Sequence, residues 1–261
     1  MSTDSISQIA PEIIKKNTQE ALERLNIKPM EYNFKLIEAA KNGDSELVKL
    51  LLAAGTNVNR QNKKGNTPLI AAATNGHAEC VRILLTVPRI DGNKHNDNYD
   101  NPLCIAIRNH HLECVKLLIA SPCVDINWQY PCCETPLCTA ILNGKIDCVR
   151  LLLAAPGIDV NKHGGIFHAT PLIWAIEMKD VESVKLLLAM PGIDVNKATP
   201  LNMTPLYGAA ISGQIEIVRL LLAMPEIDVN IADQDGITPL QIAENRGHTK
   251  CARLIREAGG K

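Results

Sequence analysis

A three-residue motif, Thr-Pro-Leu or a close copy of it, recurs at a nearly constant interval through most of the chain. Successive copies are 34 or 35 residues apart, and their prolines are Pro68, Pro102, Pro136, Pro171, Pro205 and Pro239. A constant period of this length is typical of stacked supersecondary units, each of which contacts only its neighbours. The period therefore predicts an array of repeats and argues against a single closed hydrophobic core.

One period, residues 135–161, has the pattern of two short helices followed by a loop. Thr135 can cap the first helix, and Pro136 suits its first turn because that position needs no amide donor. The first helix is predicted to end at Leu142, before an Asn-Gly turn. The second is predicted to begin near Ile146, where apolar residues follow at helical spacing. Neither helix can bury its apolar face without the neighbouring repeat.

The charge and hydropathy of the chain argue against several classes of partner. With 27 basic and 28 acidic side chains the formal net charge is −1, so there is no general attraction to nucleic acid or to an anionic membrane. No apolar run approaches the ~20 residues that span a bilayer. Residues 1–9 lack the basic flank and apolar stretch of a secretory signal. We therefore expect no nucleic-acid partner, no membrane span and no signal peptide.

Four of the nine cysteines occupy the same place in different repeats, which indicates a shared packing role rather than a disulfide framework. They are Cys80, Cys114, Cys148 and Cys251. A small residue that recurs in this way on a helix is typical of a buried core position. Reduced core thiols are in turn typical of a cytoplasmic protein, and we expect that localisation.

These repeats resemble the ankyrin repeat, which consists of a turn, two antiparallel helices and a loop reading Gly-Ala-Asp-Val-Asn. The matching segments of the second helix are 81–85, 184–188 and 218–222, and those of the loop are 55–59, 158–161, 193–196 and 227–230. The resemblance covers residues 34–260, although Phe34 and Lys35 stand where the first repeat would have Thr-Pro. It implies an all-α ankyrin-repeat solenoid of six to seven stacked helix-turn-helix units with finger-like loops.

The two ends of the array are predicted to be closed by helices with polar outer faces, because terminal repeats need such caps. We expect residues 1–10 to be disordered and residues 11–33 to form an N-terminal capping helix, whose apolar residues lie mostly on one face. A separate partner-binding helix is the alternative for this segment. The charged helix at residues 251–257 is expected to cap the other end, within an array that spans residues 34–260.

Candidate catalytic and metal-binding groups are few. His110, His111 and Cys114 have helical spacings suited to metal ligands, but no fourth ligand is evident and Cys114 belongs to the recurring thiol series. The other candidates are the loop pair Cys132-Cys133 and the histidines His163 and His168. No phosphate-binding loop, nucleophile elbow or zinc-protease motif is present in the sequence. We therefore expect a protein that is not an enzyme and needs no metal or cofactor.

The resemblance places loop tips and exposed first-helix positions on a concave surface that contacts partners. These positions are polar in the outer repeats but apolar in the repeats around residues 128–212. Apolar side chains at solvent-exposed positions indicate an interface, because interface centres are rich in Trp, Tyr and Met. The predicted partner-binding residues are Trp128, Tyr130, Leu142, Ile166, Phe167, Trp174, Met178, Leu201, Met203, Tyr207 and Ile211. Packing of these side chains on one another, to brace the loops, is the alternative.

The resemblance implies a non-catalytic scaffold or adaptor, a monomer that binds a protein or peptide partner. Self-association of a structural protein through the same apolar strip is the second possibility, and a hidden enzyme or metal protein is the third. Ankyrin proteins also occur as proteins delivered by bacteria into hosts, and the sequence does not choose among these settings. The resemblance further suggests Asn161, Asn196 and Asn230 as hydroxylation candidates, although each also has a structural role in its loop.

Overall fold

A computed structural model describes residues 17–130 and 133–261 of the chain. Its regular structure is helical, apart from one isolated antiparallel bridge between Gly164 and Ala169. Residues 17–24 are helical, a 3-10 turn follows at Pro29–Glu31, and fourteen α-helices come after it. The prediction of an all-α repeat architecture is confirmed. The disorder predicted for residues 1–10 and the first part of the predicted capping helix lie outside the described residues.

The helices are grouped into two compact units, the first ending at Asp125 and the second running from Ile126 to Lys261. The first unit contains three helix pairs, which are α1 (Tyr32–Asn42) with α2 (Ser45–Ala53), α3 (Pro68–Asn75) with α4 (Ala78–Leu85), and α5 (Pro102–Arg108) with α6 (Leu112–Ile119). Within this unit the first helix of each pair packs against the first helix of the next, and the second helices do the same. Most apolar side chains of these helices are therefore buried, many of them against a neighbouring repeat.

The second unit contains four helix pairs built on the same plan. They are α7 (Pro136–Leu142) with α8 (Ile146–Leu153), α9 (Pro171–Glu177) with α10 (Val181–Leu188), α11 (Pro205–Ile211) with α12 (Ile215–Leu222), and α13 (Pro239–Asn245) with α14 (Thr249–Glu257). The end predicted for α7 and the start predicted for α8 are both confirmed. Stacking again joins first helices to first helices and second helices to second helices.

A side-chain cap fixes where the first helix of most pairs begins. In α3, α5, α7, α9, α11 and α13 the residue before the initial proline is Thr or Asn, and its side-chain oxygen accepts a hydrogen bond from the third helical amide. Such a cap is worth about 1 kcal/mol. Helix α1 has no side-chain cap at Glu31, which agrees with the absence of Thr-Pro from the first repeat.

The loops of the second unit are joined to one another by asparagine side chains. Asn161 donates from Nδ2 to the carbonyl oxygen of Gly192 at 2.7 Å and accepts at Oδ1 from the amide of Asp194 at 2.9 Å. Asn196 makes the corresponding pair of bonds to the next loop. Because each amide is engaged at both ends, consecutive loops are held at a fixed separation.

The recurring thiols lie in the core of the units, as predicted. Cys80, Cys114, Cys148 and Cys251 are buried and free of disulfide bonds. Burial raises the pKa of Cys114 and of Cys148 to about 11, with a smaller contribution from the neighbouring acidic residue. These thiols therefore behave as small apolar core groups.

Candidate partner-binding surface

Five of the eleven predicted partner-binding side chains line one cleft of about 540 Å³ in the second unit. They are Ile166, Phe167, Trp174, Leu201 and Met203. One wall of the cleft is the loop that precedes α9, and the other is the loop that precedes α11. Residues of α9 and α11 complete the lining. The cleft lies wholly within residues 126–261, so one unit suffices to form it.

The first wall is a tight loop that presents two apolar side chains. The amide of Gly164 donates to the carbonyl oxygen of Ala169 at 3.0 Å, and the amide of Gly165 donates to Cys133 O at 2.9 Å. At this turn Gly165 has a φ of +68°, and a Cβ there would lie 1.9 Å from a carboxylate oxygen of Glu134. Only glycine fits this position. The loop leaves Ile166 69% exposed and Phe167 63% exposed.

An aromatic pair stiffens the same wall. The rings of Phe167 and Trp174 meet edge to face, with centroids 6.1 Å apart. The indole Nε1 of Trp174 donates to Glu134 Oε2 at 3.2 Å. Burial raises the pKa of the Glu134 carboxyl, and the hydrogen bond from Trp174 partly opposes that shift. The indole is therefore fixed at its polar edge while its ring lines the cleft.

The second wall is a turn closed by its own backbone. The amide of Thr199 donates to the carbonyl oxygen of Met203 at 3.1 Å, and the amide of Met203 donates back to Thr199 Oγ1 at 3.3 Å. Leu201 lies exposed at the tip, and its carbonyl oxygen accepts from the amide of Gln234 at 3.1 Å. Both walls are thus held by hydrogen bonds before any partner arrives.

The other predicted residues lie outside the lining of this cleft. Met178 is exposed at the end of α9, and Leu142 and Ile211 are half-buried at the last positions of α7 and α11. Trp128 and Tyr130 are half-buried in a loop, with ring centroids 6.5 Å apart. The structure therefore brings together five of the eleven residues and leaves five others elsewhere on the same unit.

Tyr207, the eleventh predicted residue, lies in the interior. Its side chain is only 5% exposed, and its hydroxyl is hydrogen-bonded to the carboxylate of Asp233. Burial is the main cause that raises the pKa of Tyr207 to about 12, and the bond to Asp233 adds to it. The position follows Thr-Pro-Leu in the first turn of α11, and its side chain packs inward. We therefore leave Tyr207 out of the candidate surface.

The sequence pattern missed several groups that shape the cleft, of which Gly208 is the most informative. In the repeat frame it takes the place that Trp174 has one repeat earlier. A Cβ at Gly208 would meet only Glu177 Oε1 at 3.6 Å and Ile176 Cγ2 at 3.7 Å. A glycine inside a helix is about 1 kcal/mol less favourable than alanine. The presence of this unfavourable residue in a predicted helix is the sequence feature that could have indicated the cleft. The other missed lining residues are Ala169, Ile173, Glu177, Thr199, Pro200 and Thr204.

Those candidate metal groups that the structure describes do not come together as a metal site. Nε2 of His111 lies 3.1 Å from the carbonyl oxygen of Thr74, which accepts a hydrogen bond from the ring, and Nδ1 of His163 is 3.3 Å from Nδ1 of His168. Across residues 17–130 and 133–261, no group of three or more His, Cys, Asp or Glu side chains could hold a metal ion. Cys132 lies outside the described residues. None of the described helices is both long and apolar enough to traverse a bilayer.

Comparison with known proteins agrees with this architecture. A family model described as ankyrin repeats matches the sequence in three copies, over residues 36–129, 122–199 and 194–261. No curated protein sequence matches the chain.

Two solved structures are similar to the chain over most of its length. The ankyrin repeat domain of Bcl-3, described as a unique member of the IkappaB protein family, has a TM-score of 0.76 and 24% sequence identity. That match covers 85% of this chain and 97% of that domain. The human ASB11 ankyrin repeat domain has a TM-score of 0.66 and 25% identity, and the match covers 87% of this chain and 98% of that domain.

Proposed function

Because the chain belongs to the ankyrin repeat family, whose repeats are generally protein–protein interaction modules, we propose that it is a non-catalytic scaffold or adaptor. Its partner, a protein or peptide, binds in the cleft of the second unit. The observation that carries this proposal is the pair of exposed apolar walls, with Ile166 and Phe167 on one side and Leu201 on the other. Large apolar side chains grouped at a concave surface are a common mark of an interface.

The fixed geometry of both walls supports binding rather than loop bracing. Phe167 rests on Trp174, which is itself hydrogen-bonded to Glu134, so neither ring has to be ordered when a partner arrives. Preorganisation of this kind lowers the entropic cost of association. An apolar side chain of the partner that is fully buried between the walls contributes about 1.5–3 kcal/mol.

Gly208 supports the same proposal from the floor of the cleft. It leaves space where the preceding repeat carries an indole, and it does so at a cost in helix stability. Residues that reduce stability without improving packing are expected at functional sites. The volume of about 540 Å³ accommodates an apolar anchor of a partner segment.

Site-specific photocrosslinking tests this function. A photoreactive phenylalanine analogue placed at Phe167 is expected to capture one partner from a lysate of the source organism. The same analogue at Arg219, an exposed residue of α12, is the control and should not capture it. The captured protein is then purified and titrated against the wild type. A crosslink formed equally from both positions, or one that joins only two copies of this chain, would contradict the proposed adaptor function.

The thiols support a reducing compartment such as the cytoplasm for this protein. Six cysteines within the described residues are buried, and four of them, Cys80, Cys114, Cys148 and Cys251, are thiols outside any disulfide bond. Free thiols persist where glutathione keeps them reduced. Localisation of a tagged full-length protein in its own cells tests this assignment.

A further inference from the structure

A second cleft, of about 480 Å³, lies in the first unit and differs in chemistry from the first. Its apolar side is formed by Met30, Phe34 and Ile37, at the start of α1 and just before it. Met30 is 87% exposed and Phe34 is 64% exposed. Two large apolar side chains so open to water are unfavourable in a surface that remains uncovered.

The opposite side of this cleft is a basic loop. Arg60, Lys63 and Lys64 line it, together with the amides Gln61 and Asn62. None of the lining residues that the structure describes carries a carboxylate. The side chains of Arg60, Lys63 and Lys64 are exposed and form no ion pair with any residue that the structure describes.

Two carboxylates that are next to lining residues in the sequence, Glu31 and Glu38, contact other groups. Glu31 accepts a hydrogen bond from the amide of Lys28 at 3.0 Å, and Glu38 is paired with Lys35 at 2.8 Å. Asp97 lies against Gly65 and is not one of the residues that line the cleft. Among the described lining residues, the positive charge of the cleft is therefore not balanced by a carboxylate.

Hydrogen bonds hold the basic loop in place. Asn62 Oδ1 accepts from the amides of Lys64 at 2.9 Å and Asn66 at 3.0 Å. The side chain of Gln61 donates to the carbonyl oxygens of Gly65 at 2.7 Å and His95 at 2.8 Å. The backbone that carries Lys63 and Lys64 is thus fixed, while their charged ends reach into solvent.

We propose that this cleft binds an acidic peptide segment of a partner protein, with a large apolar side chain beside its Asp and Glu residues. The apolar anchor packs on Met30 and Phe34, where methionine adapts readily to different shapes. The carboxylates pair with Lys63, Lys64 and Arg60, which steer the segment and fix its direction. A nucleic acid is the less suitable occupant, because the chain carries a net charge of −1 and this cluster has only three cations.

Selection from a displayed random 12-residue peptide library tests the proposal and does not require an identified partner. The library is first depleted on the triple variant Phe34→Ser/Lys63→Glu/Lys64→Glu and then selected on the wild type. We expect enrichment of peptides with two or more Asp or Glu residues next to Phe, Leu, Ile or Met. Synthetic copies should bind at least tenfold more weakly to the triple variant, and binding should weaken as salt is raised, since exposed charges are screened.

The matched control is the double variant Lys41→Glu/Lys250→Glu, which makes two of the same charge reversals at exposed lysines outside the cleft. Its affinity for the selected peptides should remain within twofold of the wild type. Circular dichroism and melting temperatures verify that all variants are folded. The proposal is overturned if no peptide survives depletion, if the survivors show no acidic excess, if the control loses affinity equally, or if a single-stranded oligouridine probe binds the cleft more tightly than the selected peptides.

Discussion

At the scale of single residues, the turns between paired helices show how a neighbouring repeat restricts the sequence. The imidazole of His248 lies against the turn at Gly213, and its Nε2 is 3.2 Å from the carbonyl oxygen of Ile211. Gly213 has a φ of +65°, and a Cβ there would be 2.6 Å from His248 Nδ1. Gly144 occupies the corresponding turn of another repeat, with a φ of +60°, but no neighbouring atom lies within 4 Å of a Cβ added to it.

This contrast yields a matched pair of substitutions within one unit. Gly144→Ala suffers only the left-handed backbone strain and should lower the free energy of unfolding by about 1 kcal/mol. Gly213→Ala introduces the same backbone strain, and its added methyl group also clashes with the imidazole ring of His248, which a hydrogen bond holds in place. We expect this clash to lower the free energy of unfolding by about a further 1–2 kcal/mol, similar to the cost of overpacking a core. Urea unfolding of both variants measures the difference, and equal losses would show that the histidine contact has no energetic weight.

Gly208 provides the opposite test, because space is available for a larger side chain. Gly208→Ala should raise the free energy of unfolding by about 0.5–1 kcal/mol, since it improves helix propensity without a close contact. Gly208→Leu should fill the cleft and abolish partner binding while the protein stays folded. Thermal unfolding and titration with the captured partner measure the two effects. Full affinity of the leucine variant would contradict a binding role for this cleft.

At the scale of helices and loops, the sequence predicts what local chemistry decides. Thr135, Pro136 and the Asn-Gly pair mark the ends of α7, and the structure has them where the motif predicts. The direction of individual side chains depends on the neighbouring repeat instead. The pattern predicts that Tyr207 faces a partner, yet the side chain is buried and its hydroxyl interacts with Asp233 on a later loop. No local pattern contains that contact.

The cleft illustrates the same limit. Its apolar composition is evident from Ile166, Phe167 and Leu201. The depth of the cleft cannot be predicted from the sequence, because it depends on two hydrogen-bonded loops and on Gly208 in α11. The cleft of the first unit that Phe34 shares with Lys63 is also beyond the pattern, since these two residues are far apart in the sequence and line one cleft only in the folded chain. The sequence thus indicates which exposed positions carry unusual apolar residues, and the packing of the folded chain determines which of these residues line one cleft.

Capping of α9 gives a prediction that belongs to the helix. Thr170 is buried, and its Oγ1 accepts from the amide of Ile173 at 3.2 Å. Thr170→Ala removes that acceptor and should cost about 1 kcal/mol, with an upper limit of about 2 kcal/mol. Thr170→Ser keeps the oxygen and should restore most of the loss. Urea midpoints compare the three proteins, and an equal loss in the serine variant would indicate that the methyl group matters instead of the cap.

At the scale of the whole molecule, both units have cores that contain buried thiols, and these connect stability to pH. Burial raises the pKa of Cys114 in the first unit and of Cys148 in the second unit to about 11, from a value of 9.0. An unfolded chain releases these protons near the lower value, while the folded chain retains them. The unfolded state therefore binds fewer protons between these two pH values, and stability falls as pH rises through this window.

We expect the urea midpoint to fall between pH 9 and pH 11, with no contribution from these thiols near neutral pH. The double variant Cys114→Ala/Cys148→Ala is less stable at every pH but should show a smaller fall across this range. Comparison of the two slopes separates the thiols from lysine and tyrosine groups that titrate nearby. Parallel slopes would contradict the assignment of the effect to these cysteines.

Partner binding at the apolar cleft of the second unit is the central claim, and the affinity of the captured partner tests it most directly. Isothermal titration compares the wild type with Phe167→Ala/Leu201→Ala and with Leu25→Ala/Tyr99→Ala, two exposed apolar side chains of the first unit that line neither cleft. Removal of the Phe167 and Leu201 side chains should weaken binding at least tenfold, or about 1.4 kcal/mol, with little change in melting temperature. The control pair should leave affinity for that partner unchanged. Undiminished affinity of Phe167→Ala/Leu201→Ala would contradict the account.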